Sequence, residues 1–121
     1  MKKLFIMLLC FICLVGCSEN NDSKDELINY VEAKEQIINN GAILVDVRTV
    51  EEYNENHIDG AVSLPLETIN EETVADIVDS KEAAIIVYCK SGNRSHQAYQ
   101  QLSELGYSKV YDLGAKSNWE E

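Results

Sequence analysis

Cations are scarce in this sequence: 10 Lys and Arg stand against 21 Asp and Glu, for a formal net charge of −11 at pH 7. Bulk charge therefore argues against nucleic acid or an anionic lipid surface as a partner. Long apolar runs are scarce too. The one that stands out, Leu4 to Val15, is shorter than the ~20 residues a helix needs to cross a hydrocarbon core. Lys2 and Lys3 precede it and small Gly16 follows it, the residue order of a cleaved secretory leader. No internal repeat and no low-complexity segment interrupts the rest.

Cysteine is the third shortage. Of the 4 present, Cys10 and Cys13 belong to the leader and Cys17 follows it directly. Cys89 alone is left for the folded part. That excludes an intramolecular disulfide there, although the secretory route leads to a compartment where disulfides persist. A lone leftover cysteine in an exported chain is either a reactive group or an intermolecular link. Removing residues 1–16 leaves about 100 residues, one compact domain with one core. Lys2 and Lys3 depart with the leader, so the remainder is more acidic still.

Leu14-Val15-Gly16-Cys17 resembles a bacterial lipobox. The resemblance implies a lipid thioether on Cys17 and an extracytoplasmic protein anchored to the membrane as a lipoprotein. More than one acyl chain is needed for this, because one alone binds marginally and reversibly. Ser18 to Glu26 contains nothing apolar to bury, so residues 17–26 read as the lipidated cysteine and a solvated tether, and residues 27–121 as the domain.

Within the domain, strands and helices alternate. Ile28 to Val31 reads as a short edge strand, Glu32 to Asn39 as a helix ended by Asn40-Gly41, and Ala42 to Val47 as a β-branched strand. Val50 to Asn56 reads as a short helix, Ala61 to Leu64 as a strand stopped by Pro65, and Glu71 to Val78 as another helix. Ala83 to Tyr88 has the continuous apolar character of a strand buried on both faces. Ser95 to Leu105 is amphipathic, with Ala98, Leu102 and Leu105 on one face, and Gly106 sits where a C-terminal cap belongs. Lys109 to Leu113 is a last strand. The alternation predicts an α/β domain with a mostly parallel central sheet covered by helices on both faces.

In such sheets ligands bind beyond the carboxyl ends of the strands. Cys89 falls at such an end, and the loop Lys90-Ser91-Gly92-Asn93-Arg94-Ser95 runs from it into a helix. A glycine-containing loop entering a helix can turn several backbone N–H groups inward, which stabilises a thiolate or a bound anion. The polar residues that follow it, Lys90, Ser91, Asn93 and Arg94, predict a partly exposed, reactive Cys89 rather than a structural one. His57 and His96 supply no metal or Cys–His spacing, so neither a metal nor another cofactor is expected. His96 is expected in solvent.

The loop from Cys89 to Ser95 resembles the active-site loop of single-domain rhodaneses. Other segments follow in that family's order: Asp46-Val47-Arg48 with Glu51-Glu52-Tyr53, then His57-Ile58-Asp59-Gly60-Ala61, then Leu113-Gly114-Ala115 through Trp119. Two positions depart from the pattern: Ala115 replaces a glycine, and Lys116 stands where an apolar residue is common. The resemblance implies a rhodanese-like fold and a sulfurtransferase that moves sulfane sulfur from a small anionic donor such as thiosulfate to cyanide or a thiol, including a thiol on a partner protein. It makes Cys89 the catalytic sulfur carrier and Lys90, Ser91, Gly92, Asn93, Arg94 and Ser95 the substrate-binding loop. Asp46, Arg48 and His57 become structural residues near the site, the first two as an ion pair.

Two rivals are weighed against this. A phosphatase or arsenate reductase on the related fold has one more residue between the cysteine and the arginine than the Lys90-Ser91-Gly92-Asn93 stretch supplies. A non-catalytic binding module is the other, and in that family class the cysteine is often replaced.

Overall fold

The computed structural model describes residues 27–119. The leader, the Cys17 lipobox and the tether lie outside the described residues.

Helix α1 (Tyr30–Asn40) begins at Asn29. Its side chain accepts from the Glu32 N–H while the Glu32 carboxylate accepts from the Asn29 N–H, a reciprocal capping box. Gly41 ends the helix in the left-handed conformation, with φ +66°. The edge strand expected over Ile28–Val31 is therefore a correction. Only Leu27 pairs, in an isolated parallel bridge to Asp112, and the Ile28 N–H donates to the Asp112 carbonyl at 3.1 Å. The cap at Asn29 satisfies orphan helix donors at once, and this outweighs the strand preference of Ile28 and Val31.

Strand β1 (Ile43–Asp46) follows, then helix α2 (Val50–Glu55), capped by Thr49 and Glu52 in the same reciprocal way. Strand β2 is short (Val62–Ser63), a 3₁₀ turn spans Leu66–Thr68, and helix α3 covers Glu71–Ala75. Both β2 and α3 are shorter than the apolar pattern predicts. Strand β3 (Ala84–Cys89), helix α4 (Asn93–Glu104), strand β4 (Lys109–Ala115) and a 3₁₀ turn (Lys116–Asn118) complete the described part.

The four strands are all parallel, in the order β2-β1-β3-β4. Central β3 is buried along its whole length. On one face Ile85, Val87 and Cys89 pack with Ala98 and Leu102 of α4. On the other, Ala84, Ile86 and Tyr88 pack with Ala33 of α1, Ile58 and Leu113. Alternate residues of one strand thus feed two cores, as a parallel sheet with helices on both faces requires. The register sets Asp46 beside Tyr88, and Cys89 beside Ala115 after a shift between Val87 and Tyr88. The carboxyl ends of β1, β3 and β4 come together at one edge of the sheet, and the site forms there.

Candidate active site

Cys89 is the last residue of β3 and has 0% of its surface exposed. The partly exposed position expected from its polar neighbours is corrected by this. The strand carries the residue into the core with Val87 and Ile85, and only the residues after it turn outward. Gly92, with φ +104°, bends the chain back over the sulfur, a conformation L side chains rarely adopt. The Gly92 N–H then donates to Cys89 Sγ at 2.9 Å and the Ser95 N–H donates to it at 3.2 Å. Ser95 is itself buried, and its hydroxyl donates to the Gly92 carbonyl at 3.1 Å, which closes the loop on itself. Helix α4 starts at Asn93, two positions before the expected Ser95, because the Gly92 bend already turns the chain into it.

Not all of the loop faces the sulfur. Lys90, Ser91 and Asn93 are exposed. Arg94 reaches across to α2, where its two terminal nitrogens meet the two carboxylate oxygens of Glu52 at 2.9 and 3.3 Å. Arg94 beside it, then the Thr49 N–H, hold the Glu52 carboxyl down at about 2, against an ordinary 4.5. The same pair raises the Arg94 guanidinium above its ordinary value.

Asp46 and Arg48 form a buried ion pair at 2.7 Å, with further bonds from Arg48 Nε at 3.0 and 3.1 Å and from the Arg48 N–H at 2.9 Å. The Asp46 hydrogen bond is the main reason the Arg48 guanidinium is raised above its usual range. Arg48 also donates to the Asn56 carbonyl at 2.7 Å. His57 is exposed: its Nδ1 lies 2.9 Å from the Tyr53 carbonyl and its ring stacks on Tyr53 at 3.8 Å. His96 is exposed on α4, stacked at 6.3 Å on Tyr99. An open cleft of about 840 Å³ adjoins this frame, bordered by Arg48, Glu52, His57, Lys90, Lys116 and Trp119.

A buried strand-end cysteine under a helix-entering loop that donates N–H groups to its sulfur coincides with a family match: the rhodanese-like domain family covers residues 25–121. The chain belongs to that family. Thiosulfate sulfurtransferase PspE of Escherichia coli is 40% identical over 70 residues, 58% of this chain and 66% of that protein. Thiosulfate sulfurtransferase GlpE of Coxiella burnetii is 33% identical over 93 residues, 76% of this chain and 84% of that protein. Of two longer relatives the chain spans only 27% and 24%. The solved structure of a rhodanese with anions from E. coli superposes with a TM-score of 0.60 at 36% identity, covering 64% of this chain and 89% of that one.

Two residues of this rhodanese-like site escape a reading of the sequence. Glu52 carries the Thr49-x-x-Glu52 capping signature, and that local role hides its second one, the partner of Arg94. Tyr88 sits in an apolar run and reads as core. Its hydroxyl nevertheless donates to Asp46 Oδ2 at 2.7 Å and accepts from the Ile58 N–H at 3.1 Å. Burial is the main cause that pushes the Tyr88 phenol well above its ordinary value, so it stays a neutral donor.

Proposed function

We propose that this rhodanese-like domain is a sulfurtransferase that carries sulfane sulfur on Cys89. The observation that supports it best is the pair of N–H donors, from Gly92 and Ser95, aimed at Cys89 Sγ. Hydrogen bonds from backbone N–H groups favour a charged sulfur over a neutral one. In the reaction the Cys89 thiolate attacks the outer sulfur of a donor such as thiosulfate; the S–S bond of the donor breaks, sulfite leaves with the electron pair, and Cys89–S–S⁻ remains. A thiophilic acceptor, cyanide or a thiol, then takes the outer sulfur and restores the thiolate. Arg94, braced on Glu52, fixes the loop and adds positive charge near the incoming anion. Thiosulfate should add about 32 Da to the intact protein, and cyanide should remove it as thiocyanate. Hydrolysis of phosphate esters without any such adduct would overturn the assignment.

The lipobox reading motivates a second proposal: the mature chain begins at acylated Cys17 and holds the domain, residues 27–121, outside the cytoplasm at a membrane surface. Cys17→Ser should abolish both the lipid mass and membrane partitioning. Unchanged partitioning would refute it.

A further inference from the structure

Arg48 has more hydrogen-bonding capacity than its ion pair uses. Its Nε donates to both oxygens of Asp46 at 3.0 and 3.1 Å, and its Nη2 donates to Asp46 Oδ2 and to the Asn56 carbonyl, each at 2.7 Å. Both N–H groups of Nη1 are left over. Among the described residues nothing accepts from them. Bulk solvent does not serve them either, because the side chain has only 7% of its surface exposed. Buried donors are nearly always paired, so an idle pair on a charged group calls for an acceptor from outside the protein.

The place of this group in the fold fits such an acceptor. The Val47 N–H donates to the Tyr88 carbonyl at 3.0 Å, so Arg48 follows the carboxyl end of β1 as Lys90 follows that of β3, and both residues border the open cleft. The guanidinium is also fixed in direction. Asp46 and the Asn56 carbonyl hold two of its nitrogens, and its Cζ lies 5.8 Å from the centroid of the Tyr88 ring. A donor held this way needs no reorganisation when a ligand arrives. Glu55 and Asp59 border the same cleft as Lys90 and Lys116, so net charge does not choose the ligand there. The free donor does, because a guanidinium edge is matched by an oxygen-bearing anion.

We propose that Arg48 is a donor-binding residue of the transfer, with Nη1 hydrogen-bonded to the sulfonate oxygens of an oxyanion donor. This rests on the sulfurtransferase reading and adds to it a residue that selects the donor. In loading, the Cys89 thiolate attacks the outer sulfur of thiosulfate, the S–S bond of the donor breaks, and the electron pair departs on sulfite. Negative charge that thiosulfate shares with its outer sulfur gathers on the oxygens of sulfite. Nη1 therefore holds the departing group more tightly than the intact donor and lowers the barrier. Asp46, through its ion pair, becomes the positioning residue that aims this nitrogen.

Two donors separate this role from a purely structural one. Thiosulfate leaves as an oxyanion, whereas the persulfide of 2-mercaptoethanol hands over the same sulfur and leaves as a thiolate without a sulfonate. Growth of the sulfur adduct, about 32 Da, is timed with each. In Arg48→Lys the ammonium can still pair with Asp46 but has no second nitrogen to offer. Loading by thiosulfate should slow roughly tenfold more than loading by the persulfide, the loss expected for one charge-assisted hydrogen bond. Both donors meet the same sample, so any unfolded fraction cancels in the ratio. Equal slowing of the two donors, or none, would overturn the proposal and leave the sulfurtransferase reading intact. A second measurement needs no change at Arg48. Arg48 and Arg94 are the only arginines of the sequence, so their guanidinium NMR signals in isotopically labelled protein are told apart by Arg94→Lys. Inorganic sulfate added to the wild-type protein should shift the Arg48 signals along a saturating curve, and signals that stay in place would overturn the proposal. A wild-type protein that takes sulfur from neither donor would remove the sulfurtransferase reading itself, and the part of Arg48 in it.

Discussion

The phenol of Tyr88 donates to the carboxylate of Asp46 at 2.7 Å, although the two lie 42 residues apart. They are register partners on neighbouring strands β3 and β1. Asp46 also holds Arg48, and Tyr88 also holds the Ile58 N–H, so a single buried contact joins the strand end that precedes Cys89 to the segment that walls the cleft.

Tyr88→Phe should therefore destabilise the domain by about 1–3 kcal/mol, because the buried Ile58 N–H loses its acceptor and Asp46 loses a donor. Only the hydroxyl is removed, so the ring packing survives. A denaturant midpoint lowered at constant m-value is the expected result. An unchanged midpoint would mean that water replaces the hydroxyl.

Arg94→Lys keeps the charge but loses the planar fork that meets both oxygens of Glu52. We expect kcat/KM for thiosulfate to fall severalfold, with Glu52→Gln falling in the same direction, since each releases the loop from α2. Wild-type kcat/KM in Arg94→Lys would show that a point charge is sufficient.

The same pair predicts an acid sensitivity. Glu52 is held at about 2 in the folded state, below the ordinary 4.5. A carboxyl depressed in this way contributes stability that is fully present above 4.5 and is lost as the pH falls through about 2. Glu52→Gln should therefore lose stability less steeply than wild type between those values. The pair is partly exposed, so the difference should reach no more than about 1 kcal/mol. Parallel unfolding curves across this window would count against the ion pair.

Much of this was legible in the sequence because period and composition act locally. The all-apolar run before Cys89 has the character of a strand buried on both faces, and the Gly92 loop leading into an amphipathic helix marks where the candidate site lies. What was not legible depends on contacts across the sheet. Glu52 satisfies its own helix cap, so nothing local announces that it also receives Arg94. The hydroxyl of Tyr88 finds Asp46 only once β1 and β3 are in register. The burial of Cys89 does not show in its sequence neighbours, which are polar on one side, because its packing is decided by alternation with Ile85 and Val87. The helix start at Tyr30 rests on the reciprocal cap of Asn29 and Glu32, which competes with the strand preference of the short apolar stretch around it.

Gly92→Ala tests the loop backbone. A Cβ there would find only Gly114 Cα, at 3.9 Å, so space is not the obstacle. The φ of +104° is. An L side chain in that region costs about 1–2 kcal/mol, and relief of the strain would carry the residue 92 N–H away from Cys89 Sγ. Expected results are a lowered midpoint and slower loading by thiosulfate. Normal loading would show that the Ser95 N–H alone is enough.

The last prediction concerns the sulfur itself. Because Cys89 is wholly buried and accepts two N–H groups, its replacement cannot be treated as a surface change. Serine offers an oxygen that can accept the same two donors, so Cys89→Ser should fold with a modest loss of stability. Alanine offers nothing, and the N–H groups of Gly92 and Ser95 are then left beneath the loop without an acceptor, a further cost of about 1–3 kcal/mol. The stability order should be wild type, then serine, then alanine. Neither variant should acquire the 32 Da adduct from thiosulfate or release thiocyanate to cyanide. If alanine proves as stable as serine, the two N–H groups are not committed to the sulfur. If the serine variant still takes up sulfur, the carrier is a group other than Cys89.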